Sequence, residues 1–465
     1  NIFFERTSRV KMMSFQSVYG LLLLCILNVY SGEITELPGW KGKLPSKQYS
    51  GYIDIPNTAP NTRHYHYWFV ESENDPENDP IVFWFNGGPG ASSLLGYFTE
   101  LGPFHVYDES IQDNTTEIPL LYYNNYTWSK VCNIIFIESP AGVGFSYCEG
   151  SNGPINSCPD WNDTLVAQDN HKVLQGFFKL FPQYLNNPFY ITGESYAGIY
   201  VPTLVMQVDK DPSGMPPLLG FAVGDGCMGI GGYGGCNKDS QAIFWNFMYG
   251  HGQCSTAAYE QIVNTCGNSI YFGNETSDCY KLLNELKVNL GGFNVYDIYD
   301  ECYLKNDELL GIPQIFKNKE GHTRFNARIG YNGRIQSGIN QYSCGSETVT
   351  NIYLNIDAVK KAIFVADIPW TWQDGDWNKY HSTQTDLRPF YVNAVKKYRV
   401  LIYYGDADAG VPYLGGEEWT SNLGYNILEK WRPWTVDDEM DMGGYVQTYN
   451  TGNNFTFLTV RGAGH

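Results

Sequence analysis

The chain has 465 residues, of which 43% are hydrophobic and 16% aromatic. This composition is typical of a globular protein, and the length allows one large core with an inserted subdomain, or two domains. The formal net charge is −19 and no basic stretch stands out, which argues against a protein that binds nucleic acid.

The N-terminal segment has the pattern of a targeting sequence. Residues 1–11 contain no methionine, and we expect them to be upstream nucleotide sequence translated by mistake. The apolar run Gly20–Leu27 is too short to span a bilayer, and small residues follow it at Val29 and Ser31. We therefore predict a signal peptide over 12–31, with a buried helix as the alternative. No later stretch is long and apolar enough for a membrane anchor.

The next segments predict strands. Tyr49–Pro56 and Arg63–Glu71 alternate and carry aromatic residues, as two half-buried strands of a hairpin do. Pro80–Phe85 is a continuous apolar run that leads into Asn86–Gly90, so we predict a strand buried on both faces and a Gly-rich loop after it. Val131–Ile137 repeats the pattern of a buried strand.

A predicted helix and strand then lead to a serine. The helix over Thr164–Phe181 ends at Pro182, and Pro188–Thr192 is a short strand. Ser195 follows this strand in the sequence GESYA, with the small residues Gly193 and Ala197 two positions away on either side. Another helical stretch comes after it. This context predicts a nucleophile elbow. Because Ala197 replaces the second glycine of the commoner G-x-S-x-G, an ordinary tight turn remains the alternative.

The Gly-rich loop Asn86–Gly90 suits an oxyanion hole. In hydrolases with a nucleophile elbow, one amide comes from the residue after the nucleophile and another from an upstream loop of this type. Glycine allows a backbone N–H to approach the developing charge without a Cβ in the way. The alternative is a plain Gly/Pro turn.

The middle of the chain differs in composition from the segments before it. Leu218–Val223 is one more predicted buried strand, but 226–344 is rich in Gly and Asn, holds most of the cysteines and lacks clear buried strands. We predict that this stretch is an inserted cap subdomain. The core would then comprise 33–225 and 345–465.

The core pattern resumes after the predicted cap. We predict a helix near Ile352–Phe364 and strands at Arg399–Tyr404 and Phe455–Val460. Strands that alternate with helices indicate an α/β fold, with a mostly parallel central sheet flanked by helices.

The two late strands lead into the remaining groups of a nucleophilic site. Asp406 and Asp408 follow the first strand, and His465 follows the second in a Gly-rich loop. A nucleophilic serine needs a base, and the base needs an orienting carboxylate; in α/β-hydrolases the chain order is serine, acid, histidine. The residues leave the choice between the two aspartates open. The other histidines lack this context, so we expect them to be structural or surface residues.

Cysteines and sequons indicate a secretory pathway. Of the 11 cysteines, Cys25 lies in the predicted signal peptide. An even number remains, without the close pairs that zinc sites use, so we predict disulfides. These cysteines are Cys132, Cys148, Cys158, Cys227, Cys236, Cys254, Cys266, Cys279, Cys302 and Cys344. Candidate glycosylation sites are Asn114, Asn125, Asn162, Asn274 and Asn454. The acidic charge suits a lysosome or vacuole, and it suits simple solubility in an extracellular protein equally well.

Five motifs occur in one order along the chain and cover it from about Gly39 to its end. They are Trp84–Ser93 (WFNGGPGASS), Glu138–Tyr147 (ESPAGVGFSY), Gly193–Gly198 (GESYAG), Gly405–Pro412 (GDADAGVP) and Gly462–His465 (GAGH). Together they resemble the serine carboxypeptidase family, also called the carboxypeptidase C or cathepsin A group. The resemblance implies an α/β-hydrolase fold and the release of C-terminal residues from peptides and proteins, with no metal or organic cofactor.

The resemblance also implies roles for individual residues. It selects Asp408 over Asp406 and so gives the catalytic triad Ser195, Asp408 and His465. It implies that the amides of Gly88 and Tyr196 form the oxyanion hole.

In the family, a further set of side chains binds the terminal carboxylate of the substrate. The matching positions are Asn86, Glu194 and Glu100, with Trp84 alongside. Two ionised glutamates would repel that carboxylate, so at least one must be protonated to donate a hydrogen bond. We expect the two to titrate as a coupled pair with one raised pKa, and peptides to bind more tightly at acid pH.

The chain departs from the family pattern in three places. Ala91 stands where the family usually has Cys, so a common disulfide should be missing. Asp225 replaces the usual Asn in the sequence GDG, with no role that the sequence reveals. Family members continue beyond the histidine with a Met-Val-Pro-like segment and a final helix, so we expect the sequence to be incomplete after His465.

Two other functions fit the same sequence. Some family relatives are acyltransferases, in which an alcohol instead of water resolves the acyl-enzyme. A non-catalytic role as a protective partner of lysosomal hydrolases is the second. A homodimer is compatible with either.

Overall fold

The structure is a computed structural model that describes most of the chain. The described residues are 31–56, 62–106, 110, 118–150, 153, 157–229, 241–271, 275–290, 293–299, 346–371, 380–436 and 441–465, with two-residue strands at 303–304 and 323–324. The segments 1–11 and 12–30 lie outside these residues, so the signal peptide stays a prediction.

Twelve strands form one sheet in the described part of the chain. In chain order they are β1 Ser31–Ile34, β2 Gln48–Ile55, β3 Arg63–Val70, β4 Ile81–Phe85, β5 Asn133–Ile137, β6 Tyr147–Cys148, β7 Phe189–Glu194, β8 Leu218–Gly224, β9 Arg399–Gly405, β10 Ile427–Thr435, β11 Met442–Asn450 and β12 Asn454–Val460. Two-residue strands also pair outside this sheet, at Phe104–His105 with Tyr122–Tyr123 and at Trp161–Asn162 with Tyr380–His381.

The centre of the sheet is parallel and its ends are antiparallel. The spatial order is β1-β2-β3-β5-β4-β7-β8-β9-β12-β11-β10, and β6 pairs with β3. Strands β5, β4, β7, β8, β9 and β12 run parallel to one another. The predicted α/β class is therefore confirmed. Because the strands are parallel, the loops at their carboxyl ends meet at one edge of the sheet.

Nine α-helices lie in the described part of the chain. They are α1 Asp163–Leu180, α2 Ala197–Lys210, α3 Gln241–Gly250, α4 Thr256–Cys266, α5 Ser277–Leu290, α6 Ser346–Leu354, α7 Asp357–Ala362, α8 Arg388–Lys397 and α9 Tyr413–Ser421. Short 3-10 turns occur at Trp128–Lys130, Pro182–Tyr184 and Gly267–Tyr271, and a π turn at Gly96–Glu100.

Most predicted elements are present, but one predicted helix is wrong. The stretch Ile352–Phe364 forms two helices, α6 and α7, and not one. The break occurs because Ile356 is extended, while the side chain of Asn355 donates to Asn351 O at 2.9 Å and accepts from Trp370 N at 2.9 Å. Strands β10 and β11 were not predicted; β10 is exposed along nearly its whole length, so it carries no alternating pattern.

The core lies on both faces of the sheet. Every side chain of β4 is buried, and successive residues point to opposite faces: Phe83 packs in one hydrophobic cluster and Trp84 in another. Helices α1 and α2 contribute to the first cluster, whereas α6 and α7 contribute to the second. This burial on both faces explains why the sequence of β4 is a continuous apolar run.

Helices α3, α4 and α5 lie within the predicted cap. They share a third hydrophobic cluster with Ala407 and Ala409, from the loop after β9. The helices therefore pack directly against the loop that carries Asp408. The boundaries of the cap at 226–344 stay a prediction.

Disulfides are present, and among the described residues Cys148 pairs with Cys158 and Cys266 pairs with Cys279. The second joins α4 to α5 within the predicted cap. Cys132 and Cys254 are buried thiols in the described part of the chain.

Two of the predicted glycosylation sites, Asn125 and Asn454, are exposed. Asn162 is half-buried and caps α1, because its Oδ1 accepts from Leu165 N at 2.9 Å. Asn114 and Asn274 lie outside the described residues. Among the helices described, we find none with the length and apolar composition needed to cross a membrane.

Candidate active site

Ser195 occupies a sharp turn between β7 and α2. Its φ of 61° lies in the left-handed region, which a non-glycine residue adopts at a cost that only a tightly determined turn sustains. The turn is held by a bond from Ser195 N to Gly224 O at 3.0 Å. A Cβ on Gly193 would lie 2.4 Å from Phe85 O, so only glycine allows β7 to approach β4 this closely. The predicted nucleophile elbow is therefore present as backbone geometry.

The structure brings Asp408 and His465 together. Oδ2 of Asp408 lies 2.7 Å from Nδ1 of His465, and Oδ1 accepts from Gly410 N at 2.7 Å. The backbone of His465 donates to Tyr296 O at 2.8 Å, and its ring packs on the Tyr296 ring. Burial lowers the pKa of His465, but the charge and hydrogen bond of Asp408, with Glu194 and Asp225, outweigh it and raise the pKa well above its usual value.

Asp406 has a different position. Its Oδ1 accepts a hydrogen bond from Gly462 N at 2.6 Å. It therefore joins the loop after β9 to the loop that carries His465. The contact is separate from the Asp408–His465 pair.

Trp84, Asn86, Glu194 and Glu100 form one buried chain of hydrogen bonds. Trp84 Nε1 donates to Asn86 Oδ1 at 2.7 Å, and this fixes the orientation of the amide. Asn86 Nδ2 then donates to Glu194 Oε1 at 2.6 Å and to Glu100 Oε1 at 3.3 Å. The other oxygen of Glu100, Oε2, is buried too, and a hydrogen bond between the Glu100 and Glu194 carboxyls affects the pKa of both.

Burial governs the charge of this pair. It raises the pKa of Glu100 well above the usual range, and the charge of Glu194 raises it further. Burial also raises the pKa of Glu194, against the opposing influence of His465 and of the hydrogen bonds. The pair therefore holds a proton at a pH where exposed glutamates have lost theirs.

The Gly-rich loop lies against the turn at Ser195. A Cβ on Gly87 would lie 2.3 Å from Tyr196 N, so the loop backbone runs beside the amide that follows Ser195. Gly88 has a φ of 104°, and Gly90 N donates to Tyr200 OH at 3.2 Å. The two amides predicted for an oxyanion hole thus belong to backbone segments in close contact.

Asp163 supports the segments around the site, and the sequence did not predict this role. It is the first residue of α1, is fully buried, and accepts from Tyr196 OH at 2.8 Å and Tyr380 OH at 2.9 Å. It also accepts from Thr383 N at 2.5 Å and from Gln384 N at 2.8 Å. The available signal in the sequence was an acidic residue directly before a predicted helix, where the helix N-terminus favours negative charge.

A second serine, histidine and acid occur together elsewhere in the molecule. Ser50 Oγ lies 2.8 Å from His66 Nε2, and His66 Nδ1 lies 2.8 Å from Glu138 Oε2. All three residues are fully buried, and the single hydroxyl proton of Ser50 is donated to Ile363 O at 2.5 Å. This serine therefore has neither access to substrate nor a proton to give to its histidine.

One set of three possible metal donors occurs in the described residues. Atoms of Asp225, Asp408 and His465 lie within 4.8 Å of one another. Asp408 and His465 are hydrogen-bonded to each other, and Asp225 Oδ1 accepts from Gly405 N at 2.9 Å. Each of the three residues thus has a hydrogen-bond partner within the protein.

The parallel sheet, the turn at Ser195 and the acid–histidine pair beyond later strands define the class as α/β-hydrolase. The family model described as serine carboxypeptidase matches residues 38–465. The chain therefore belongs to the serine carboxypeptidase family, and it is a hydrolase of the serine carboxypeptidase type.

Relatives from plants and from mouse support the assignment to this family. The chain is 35% identical to serine carboxypeptidase-like 20 of Arabidopsis thaliana, over 94% of this chain and 89% of the relative. It is 34% identical to serine carboxypeptidase 1 of Hordeum vulgare, with 93% and 88% covered, and 34% identical to the lysosomal protective protein of Mus musculus, with 96% and 94% covered. These relatives fit an origin in the secretory pathway.

One solved structure supports the fold. The structure is similar to that of a prohormone-processing carboxypeptidase from Saccharomyces cerevisiae, with a TM-score of 0.62 and 18% identity over 90% of this chain and 87% of that chain.

Proposed function

We propose that the protein releases C-terminal residues from peptides and proteins through an acyl-enzyme, with Ser195, Asp408 and His465 as the catalytic triad. The observation that carries the proposal is the bond of 2.7 Å between Asp408 Oδ2 and His465 Nδ1. This pair lies at the same edge of the parallel sheet as the strained turn at Ser195.

The reaction has two stages. Oγ of Ser195 attacks the last peptide carbonyl while Nε2 of His465 accepts the hydroxyl proton. The amides of Gly88 and Tyr196 donate to the oxyanion, and the imidazolium protonates the departing amine as the C–N bond breaks. Water then attacks the acyl-enzyme with His465 again as base, which releases the shortened peptide and restores Ser195.

The buried set at Asn86 supplies the preference for a chain end. Its amide and the proton shared by Glu194 and Glu100 donate hydrogen bonds to the terminal carboxylate of the substrate, with Trp84 holding the amide in place. The support for this role is that Glu194 directly precedes Ser195, so a carboxylate bound there lies next to the nucleophile. An internal peptide segment offers no such group and gains no such bonds.

The predicted cap and the cellular location complete the proposal. The cap helices pack on the loop after β9, so we propose that the cap over 226–344 shapes the pocket for substrate side chains. We propose a lysosomal, vacuolar or extracellular location, reached through the secretory pathway. A tagged full-length protein should carry glycans that an endoglycosidase removes; an unglycosylated cytosolic protein would contradict this.

Labelling and peptide trimming test the catalytic assignment. We expect a fluorophosphonate probe to label the protein and the Ser195→Ala variant to remain unlabelled. Mass spectrometry should show a peptide with a free C-terminus losing residues from that end, while the same peptide with a C-terminal amide is cut much more slowly. Labelling that survives Ser195→Ala, or equal rates for acid and amide, would refute the proposal.

The same assay separates the two other functions. Addition of an alcohol acceptor should give hydrolysis products as the main species, and predominant ester formation would instead indicate an acyltransferase. A protein that neither labels nor trims would have a non-catalytic role.

A further inference from the structure

Asp225 lies between the strand of the nucleophile and the strand of the acid. It directly follows β8, which pairs with β7 on one side and β9 on the other. Its backbone N donates to Tyr403 O at 2.8 Å and its Oδ1 accepts from Gly405 N at 2.9 Å. Like Ser195 it has a positive φ, 42°, so its position is imposed by the surroundings.

The carboxylate of Asp225 faces the Asp408–His465 pair. A carboxylate oxygen of each aspartate and a ring nitrogen of His465 lie within 4.8 Å of one another, and Asp225 is only 4% exposed. At this separation, in a buried site, a unit charge acts strongly on its neighbours. The titratable groups that interact with Asp225 are Asp408, His465, Glu194, Tyr403 and Tyr404.

The electrostatic effects are reciprocal. Burial raises the pKa of Asp225 well above its usual value, the charge of Asp408 adds to this, and His465 opposes it. The negative charge of Asp225 in turn helps to raise the pKa of His465. Asparagine at this position would keep an oxygen for Gly405 N but would carry no charge.

We propose that Asp225 is a positioning residue that acts through charge on His465 and sets the pH at which this histidine becomes a free base. The inference rests on the catalytic assignment above. Once Asp225 has lost its own proton, its negative charge stabilises the imidazolium, so a higher pH is needed to free Nε2 for the proton of Ser195. The chain should therefore reach full activity at higher pH than it would with asparagine at this position.

The test is Asp225→Asn, which removes the charge and retains an acceptor for Gly405 N. We measure the rate of fluorophosphonate labelling and kcat/KM against pH. The midpoint of the acid limb should fall by about one pH unit or more, because a neighbouring negative charge is lost. Asp225→Ala should show the same shift together with a lower Tm, because the bond to Gly405 is lost as well.

A purely structural role gives a different result. In that case Asp225→Asn leaves the acid limb where it was, and Asp225→Ala lowers the rate at every pH without moving the midpoint of the limb; either finding overturns the proposal. Asp406→Asn is the matched control, because it removes a nearby carboxyl that bonds Gly462 and is not one of the main causes of the raised pKa of His465. Asp406→Asn should leave the midpoint of the acid limb unchanged.

A readout without turnover separates this inference from the catalytic proposal. Proton NMR of the Nδ1 proton of His465 follows its titration directly, and this proton should titrate at lower pH in Asp225→Asn. If Ser195→Ala is still labelled, the catalytic proposal fails while the NMR titration still decides the role of Asp225. An unchanged titration refutes that role even if the triad is correct.

Discussion

In the proposed carboxylate-binding set, the proton held by Glu194 and Glu100 would couple substrate binding to pH. Both carboxyls are buried, and Asn86 donates to both, so each additional negative charge must be accommodated without water. A raised pKa means that the proton is present at acid pH and is lost as the pH rises through that value. Binding of a carboxylate substrate should follow the same course.

We therefore expect KM for a peptide to rise with pH, by up to about tenfold per pH unit once the pair loses its proton. The double variant Glu100→Gln/Glu194→Gln should show a flat KM, because neither side chain titrates. Steady-state kinetics between about pH 5 and about pH 8 measure this. Glu417→Gln is the control. Burial also raises the pKa of Glu417, but this residue lies on α9 and not in the set at Asn86, so the variant should keep the pH dependence of KM. A wild-type KM that is flat with pH would contradict the prediction.

At the scale of elements, Asp163 joins α1 to the turn at Ser195. Its carboxylate lies at the N-terminus of the helix, where the backbone N–H groups favour negative charge. It binds the hydroxyl of Tyr196, whose amide follows Ser195, and the backbone of the segment at Thr383. One charge thus holds three separate parts of the chain in register.

Asp163→Asn should lower the free energy of unfolding by about 2 kcal/mol, because several donors lose a charged acceptor in a buried site. Tm from calorimetry measures this, and labelling of Ser195 should slow in parallel. Asp160→Asn is the control, as this exposed acid lies three residues earlier and should change neither. Equal Tm values for Asp163→Asn and wild type would show that the contacts contribute nothing.

At the scale of the whole molecule, buried acids should make the fold more stable in acid than at neutral pH. Glu100, Glu194 and Asp225 all have raised pKa values, with burial as the leading cause. The stability that their protonation provides is complete below their unfolded pKa values and is lost as the pH rises through the folded values. The net charge of −19 adds self-repulsion in the same direction.

Tm should therefore fall between about pH 5 and about pH 8. The triple variant Glu100→Gln/Glu194→Gln/Asp225→Asn should show a smaller fall. A triple variant at the exposed acids Glu36, Asp160 and Glu285 serves as the control and should leave the difference nearly unchanged. A Tm that rises toward neutral pH would contradict this account.

The sequence predicted much of the core and less of the network around the site. Buried strands such as β4 were predictable because burial on both faces leaves a continuous apolar run. The exposed strand β10 and the break at Asn355 were not, since one lacks periodicity and the other depends on a contact with Trp370. Asp163 and Asp225 could not be assigned because their partners come from distant parts of the chain.

The buried set of Ser50, His66 and Glu138 has a practical consequence. A search for triads by distance alone would find it, with contacts of 2.8 Å, as readily as it finds the pair of Asp408 and His465. Reactivity follows from where the hydroxyl proton goes and from access to the probe, and both exclude Ser50. A serine-directed reagent should therefore add a single mass increment to the intact protein, and the modified tryptic peptide should carry it on Ser195.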